Sequence, residues 1–175
     1  MATWTIDPTH SEITFKVRHL MISTVKGNFG TFEASLEGDE SNNFADAKVS
    51  FSADTATVST GLEQRDGHLK SADFFASEEF PKLTFTSTGL ENTGDKTFKL
   101  HGDLTIRDIT KPVVLDVEYH GTMGDFYGNT KAGFDIKGSI SRAEFGLSWN
   151  AVTEAGGVVV SDEVKLELDV QMTKN

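Results

Sequence analysis

Apolar residues recur at every second position along most of this chain, and that period constrains its fold more than any other feature. Ile13, Phe15, Val17 and His19 alternate with Thr14, Lys16 and Arg18, as a strand with one buried face requires. Val25, Gly27 and Phe29 continue on odd positions, after which Phe32, Ala34 and Leu36 occupy even ones. A one-residue slip would turn the wrong face inward, so a bulge is expected near Gly30. Further alternating runs lie at Ala47–Ala53, Leu83–Phe85, Phe98–Ile106, Val113–Tyr119, Ala132–Ile140 and Val164–Met172, which brings the count to eight strands. Only 3 prolines occur in the chain, in keeping with long paired strands that need their amide donors.

Short polar connections at Asn92–Asp95, Arg107–Asp108 and Gly124–Asn129 read as hairpin turns. Antiparallel neighbours need only such turns, whereas parallel strands need crossover helices, which the pattern lacks. The expected fold is therefore all-β: one domain over residues 1–175, an eight-stranded antiparallel up-and-down barrel, with an open two-sheet sandwich as the alternative. Two connections are too long for plain turns. The first, residues 55–81, carries Thr60-Gly61-Leu62-Glu63, which fits a capping box, and predicts a short helix over Gly61–Lys70. That helix would put Leu62, Arg65 and Leu69 on one face with His68 beside Arg65. The second, residues 142–161, contains Phe145, Trp149 and Gly156-Gly157.

Composition excludes several classes of partner. The 175 residues carry a net charge of −11, so a sequence-independent grip on nucleic acid or on an anionic membrane surface is not expected. With no cysteine, disulfide scaffolds, thiolate metal sites and thiol catalysis are excluded. No stretch is long and apolar enough to be an integral membrane segment. The first residues form neither a basic region nor an apolar run of the secretory kind, which gives a cytoplasmic expectation, or a periplasmic one for a processed chain.

Candidate chemistry is sparse. The five histidines show no metal-ligand pairing, and His101 and His120 fall on the outward side of their strands, so no metal site is expected. A hydrolase could use Ser11 or Ser71 with His10 or His68 and Asp66 or Asp73, but no strained-serine elbow marks a nucleophile. Gly27–Gly30 and Gly156-Gly157 lack phosphate-loop spacing. Inward positions mix large residues (Phe15, Phe29, Phe51, Phe85, Phe134) with small ones (Ala34, Ala47, Ala53, Gly102, Ala132, Gly138). At native packing density small residues must face large ones or leave space, so the interior is either a solid core or an apolar pocket.

The segments Trp4–Ser11, Val17–Leu20, Val25–Phe29, Leu100–Ile106 with Thr110–Val113, Arg142–Leu147 and, most specifically, Arg65–Phe75 resemble the YceI-like proteins, a lipocalin-like family that binds polyisoprenoids or related lipids. Ala76 and Glu144 stand where relatives often carry Asp. The resemblance covers essentially the whole chain. It implies a lipocalin-like barrel, often a homodimer, holding a hydrophobic small molecule without catalysis and without a cofactor other than a bound isoprenoid or fatty lipid. On that basis Phe15, Val17, Phe29, Phe51 and Phe85 are expected to line the ligand tunnel, with Leu100, Leu104 and Phe134. Phe74, Phe75 and Trp149 are expected to close an end or mouth of it. Arg65, His68 and Arg142 are expected to orient a head group or fix the loops. The alternatives are a lipid hydrolase acting through His68 and Asp66, and a solid-core stress-response or interaction module.

Overall fold

The computed structural model describes residues 2–20, 22–147 and 160–175. Its strands are β1 (Ala2–Ile6), β2 (Glu12–His19), β3 (Ser23–Phe29), β4 (Phe32–Gly38), β5 (Lys48–Asp54), β6 (Val58–Ser59), β7 (Lys82–Asn92), β8 (Thr97–Ile106), β9 (Ile109–Gly124), β10 (Thr130–Ser141) and β11 (Val160–Lys174). Among the described residues one α-helix, α1, spans Glu63–Lys70.

These segments form eight staves of a closed antiparallel barrel, because β1 and β2 are halves of one stave and β3 and β4 halves of the next. Asp7 and Pro8 break the first stave with a 3-10 turn at Pro8–His10, where the Asp7 side chain accepts from the Thr9 amide. Gly30 and Thr31 break the second, at the expected bulge. Thr5 pairs with Ser35 but Thr14 with Asn28, so the first stave carries two more residues across the break than its partner. The order then runs β4, β5, β7, β8, β9, β10, β11. Closure comes from β11, which pairs with β2 along Val160–Asp169 and with β1 at Met172–Lys174. That last ladder rules out the open sandwich, since no edge strand is left between the first stave and the last.

Two irregularities have no counterpart in the alternating pattern. Thr88 is skipped where β7 pairs with β8, and His120 is skipped where β9 pairs with β10. Each restores the inward phase after one extra residue.

The helix lies where the 55–81 connection predicts it, but its start differs from the capping box. Leu62 occupies the N-cap position and no side chain caps it there. Asp66, not Glu63, satisfies the entering chain: its Oδ1 accepts from the Thr60 amide at 2.7 Å and from the Thr60 hydroxyl at 2.6 Å. The Thr60 hydroxyl is therefore engaged with Asp66, two residues ahead of the N-cap.

Candidate ligand-binding site

The barrel interior is not solid. A cavity of about 380 Å³ runs between the staves, bounded almost wholly by carbon. Its two ends are built differently.

The floor is aromatic. The loop after β4 turns through Asn43 and Phe44, both at positive φ, and this unusual backbone drives the Phe44 ring up into the barrel. Trp4 and Tyr119 meet Phe44 edge-on at centroid distances of 5.2 and 5.1 Å, and Phe134 does so at 5.3 Å. Phe134 in turn stacks on Tyr119. Each polar atom in this plug has a partner: the Trp4 indole N–H donates to Gly38 O, and the Tyr119 hydroxyl pairs with Thr122. The ring edges and faces interlock in the arrangement aromatic quadrupoles favour.

The walls between floor and roof combine rings with glycines. Phe15 lies over Gly27 on the neighbouring strand, and Phe85 over Gly102. A Cβ at Gly27 would stand 2.2 Å from the Phe15 ring, and one at Gly102 2.3 Å from the Phe85 ring. The small residues at these positions are therefore covered by an aromatic neighbour rather than leaving open space.

Helix α1 and the turns that follow it roof the opposite end. Phe75 packs edge-on against Phe29 at 5.7 Å, and Phe74 against the His68 ring at 5.1 Å. Arg107, from the turn between β8 and β9, donates to Ala72 O and Gly146 O and ties the roof to the far wall. Arg142 is buried there, and its guanidinium donates to the carbonyls of Leu147, Val160 and Ser161. Burial pulls the Arg142 pKa below its ordinary value, against the attraction of Asp162. Asp162 is itself held below the usual carboxylate range, first by the Ser141 hydroxyl and then by the Ala143 amide.

The cavity brings together the side chains that periodicity placed inward. Phe15 and Val17 of β2, Phe29 of β3, Phe51 of β5 and Phe85 of β7 all border it. Leu100 and Leu104 of β8 and Phe134 of β10 complete that set, although Phe134 belongs as much to the floor. Phe74, Phe75, Arg65, His68 and Arg142 border it from the roof. Trp149 lies outside the described residues. Residues that periodicity did not mark also reach the cavity, among them Phe44, Arg18 and Thr60. Phe44 sits in a polar loop with no alternation around it, and its aromatic character was the one available signal.

Of the hydrolase candidates, the structure pairs His68 with Asp73 rather than with Asp66. The Asp66 carboxylate is committed to Thr60, while His68 Nε2 lies 2.9 Å from Asp73. The Ser71 hydroxyl donates to the His68 carbonyl at 2.5 Å rather than to its ring. His101 and His120 lie outside the barrel as expected, against Glu91 and Asp135. Glu118, His120 and Asp135 do converge on the outer surface, where such exposed groups are common without a metal.

Residues 4–172 match the family model described as the YceI-like domain. A UPF0312 protein of Staphylococcus aureus strain USA300 is 36% identical over 174 residues, covering 99% of this chain and 98% of that one. Its counterpart in strain N315 is 38% identical over 175 residues, with the same coverage. Among solved structures, a Campylobacter jejuni YCEI protein superposes with a TM-score of 0.78 at 33% identity, covering 91% of each chain. Burkholderia cenocepacia BcnA has the same fold, with a TM-score of 0.82 at 20% identity over 95% of this chain and 98% of its own. So does a domain from Saccharophagus degradans described as polyisoprenoid binding, with a TM-score of 0.74 at 14% identity over the full length of both chains.

Proposed function

The chain belongs to the YceI-like family, and from that premise we propose that it is a non-catalytic binding protein that carries or sequesters a long-chain apolar ligand. The ligand class is a polyisoprenoid, an isoprenoid quinone or a fatty acid or amide. One observation carries this reading: an apolar cavity of about 380 Å³ inside a closed barrel, with its polar groups gathered toward one end. That volume lies within the roughly 300–1,000 Å³ span of small-molecule sites. Each buried methylene contributes about 0.8 kcal/mol, so a ten-carbon stretch supplies about 8 kcal/mol before the loss of ligand freedom is subtracted. An elongated hydrocarbon is the ligand that such a wall holds best, since it asks for no hydrogen bonds along its length. The polyisoprenoid-binding description of the Saccharophagus degradans domain is compatible with this reading through the shared fold.

The test is direct. Protein purified without detergent is denatured, extracted with organic solvent and analysed by mass spectrometry, and the emptied protein is then titrated with isoprenoid quinones and fatty amides. A stoichiometric hydrocarbon-rich ligand, or saturable binding of these probes, is the expected result. An empty barrel that ignores all of them overturns the proposal.

A further inference from the structure

The outer surface of the barrel sorts its charges unevenly. The chain's net charge is −11, yet between Glu12 and Glu33 it has no Asp or Glu, while Lys16, Arg18 and Lys26 fall in that stretch. The stretch folds as the hairpin of β2 and β3, whose tip stands at the roof end, where His19 pairs with Val160. The register gathers the cations further. Lys16 lies directly opposite Lys26 on one side and Lys165 of β11 on the other, a row of like charges that repel. Against them β11 offers exposed Glu163, and Glu167, which pairs with Lys16 at 2.8 Å and is also drawn to Lys26 and Lys137. Lys26 and Lys165 are exposed and form no ion pair among the described residues. Arg18, also exposed, rests Nη1 on the Thr24 hydroxyl. The tip itself is apolar. Hairpin turns ordinarily use Gly, Asn or Asp, which tolerate positive φ. Here Leu20 takes a φ of 54°, and Ile22, whose amide donates to His19 O at 3.2 Å, is 80% exposed. A bulky residue at positive φ and a solvated isoleucine both cost stability, and neither side chain belongs to the core.

We propose that the β2–β3 hairpin docks on an anionic lipid surface, Leu20 and Ile22 entering the interface while Lys16, Arg18, Lys26 and Lys165 meet the head groups. The net charge argues against such a surface, but the attraction acts only within a Debye length, about 10 Å at moderate salt. The collar of cations at the tip therefore decides, not the sum over the chain. Two aliphatic side chains on a convex tip are too little for a stable protein–protein interface, which buries roughly 1,200–2,000 Å². Joined to a basic patch they suffice for reversible attachment to a bilayer, where two weak signals add. Leu62 is exposed at the start of α1, but Glu63 and Asp66 occupy that helix's first turn, so the hairpin and not the helix makes the contact. The docking surface lies outside the cavity and stands whether or not the barrel holds a lipid.

The experiment floats the full chain with vesicles of phosphatidylcholine alone and of phosphatidylcholine mixed with phosphatidylglycerol, at low and high salt. Binding is expected to the mixed vesicles, with loss at high salt and little partition to the neutral ones. Lys26→Gln and Lys165→Gln should each weaken it about fivefold. Leu20→Asn with Ile22→Ser should weaken it about tenfold or more, and the fold should persist because asparagine tolerates the positive φ. The turn between β9 and β10, at the floor end, supplies the control: Phe126→Ser with Tyr127→Ser removes two exposed rings and should change nothing. Failure of the parent to float with the mixed vesicles overturns the proposal, as does binding that ignores both salt and vesicle charge. Binding lost in the Phe126 and Tyr127 variant but kept in the Leu20 and Ile22 variant overturns the choice of hairpin. A parent that binds no vesicle, but self-associates until Leu20 and Ile22 are replaced, gives the tip to a second copy and overturns the lipid assignment. A barrel that yields a bound lipid on extraction yet floats with no vesicle overturns the docking alone, and an empty barrel that floats as expected leaves it standing.

Discussion

The floor and the roof of this barrel close the same cavity by opposite means. The floor is four interlocked rings whose few polar atoms are satisfied within the plug. The roof is a short helix with no buried residue of its own and a following turn that buries Phe74 and Phe75, tied down by Arg65 and Arg107 through backbone carbonyls. Neutral ring packing gives a floor that opens only if the core is disrupted. A roof that lays two rings and a set of hydrogen bonds over a cavity should open at lower free energy than a floor of four interlocked rings. On the proposed carrier role, a ligand would accordingly enter past α1, not past Trp4.

Substitution in the floor is the severest way to break that contrast. Phe44→Ala removes a ring that is 2% exposed and touches three other rings, and should destabilise the protein by about 3–5 kcal/mol in denaturant unfolding. Phe75→Ala in the roof should cost clearly less, because that ring meets one other ring, Phe29, where Phe44 meets three. Equal losses for the two variants would mean that the roof is as integral to the core as the floor.

Arg142→Met comes next. The substitution strips donors from three carbonyls at the roof, and a loss of about 3 kcal/mol is expected from leaving such groups without partners. Hydrogen exchange sharpens the result: amides around Leu147 and Ser161 should lose protection while those of β1 keep theirs. Uniform loss would show that roof and floor open together.

The wall between them gives a smaller effect. Gly102→Val forces a side chain against the Phe85 ring and, at 2.7 Å, against Thr86 O, and should cost about 1–3 kcal/mol. Adding Phe85→Leu should recover part of the loss, because the ring can yield and the backbone cannot.

Legibility from sequence divides along the same line. The staves were readable because each buries one face, which writes a period of two into the residues, and the Gly30 break showed as a change of phase. The wall positions Phe15, Phe51 and Leu104 followed from that phase. Ala2–Ile6 was hidden because Asp7 and Pro8 cut the stave before the pattern could repeat. Phe44 left no periodic trace, since a positive-φ loop residue obeys turn geometry rather than strand phase. The roof was readable only as a helix. Its entry hydrogen bonds go to Asp66 and not Glu63, a choice made by the path of the chain from β6, which local spacing does not encode.

Asp7 provides the mildest and most specific test, because it sits beside the floor yet is secured by charge as the roof is. Its carboxylate accepts from the Thr9 hydroxyl at 2.7 Å, from the His10 ring at 2.9 Å and from Lys131 at 3.0 Å. These donors, Thr9 foremost, hold its pKa well below the usual carboxylate range against the opposing effect of burial. A carboxyl whose native pKa is depressed stabilises the fold above its unfolded pKa, and that contribution is lost as pH falls toward the native value. Asp7→Asn should therefore cost about 1–2 kcal/mol at neutral pH, with the gap between parent and variant closing progressively below about pH 4. Melting curves across that range measure the closure. A gap that stays constant into acid would show that Asp7 acts through the shape of the Pro8–His10 turn alone, with its charge playing no part in securing the floor end of the barrel.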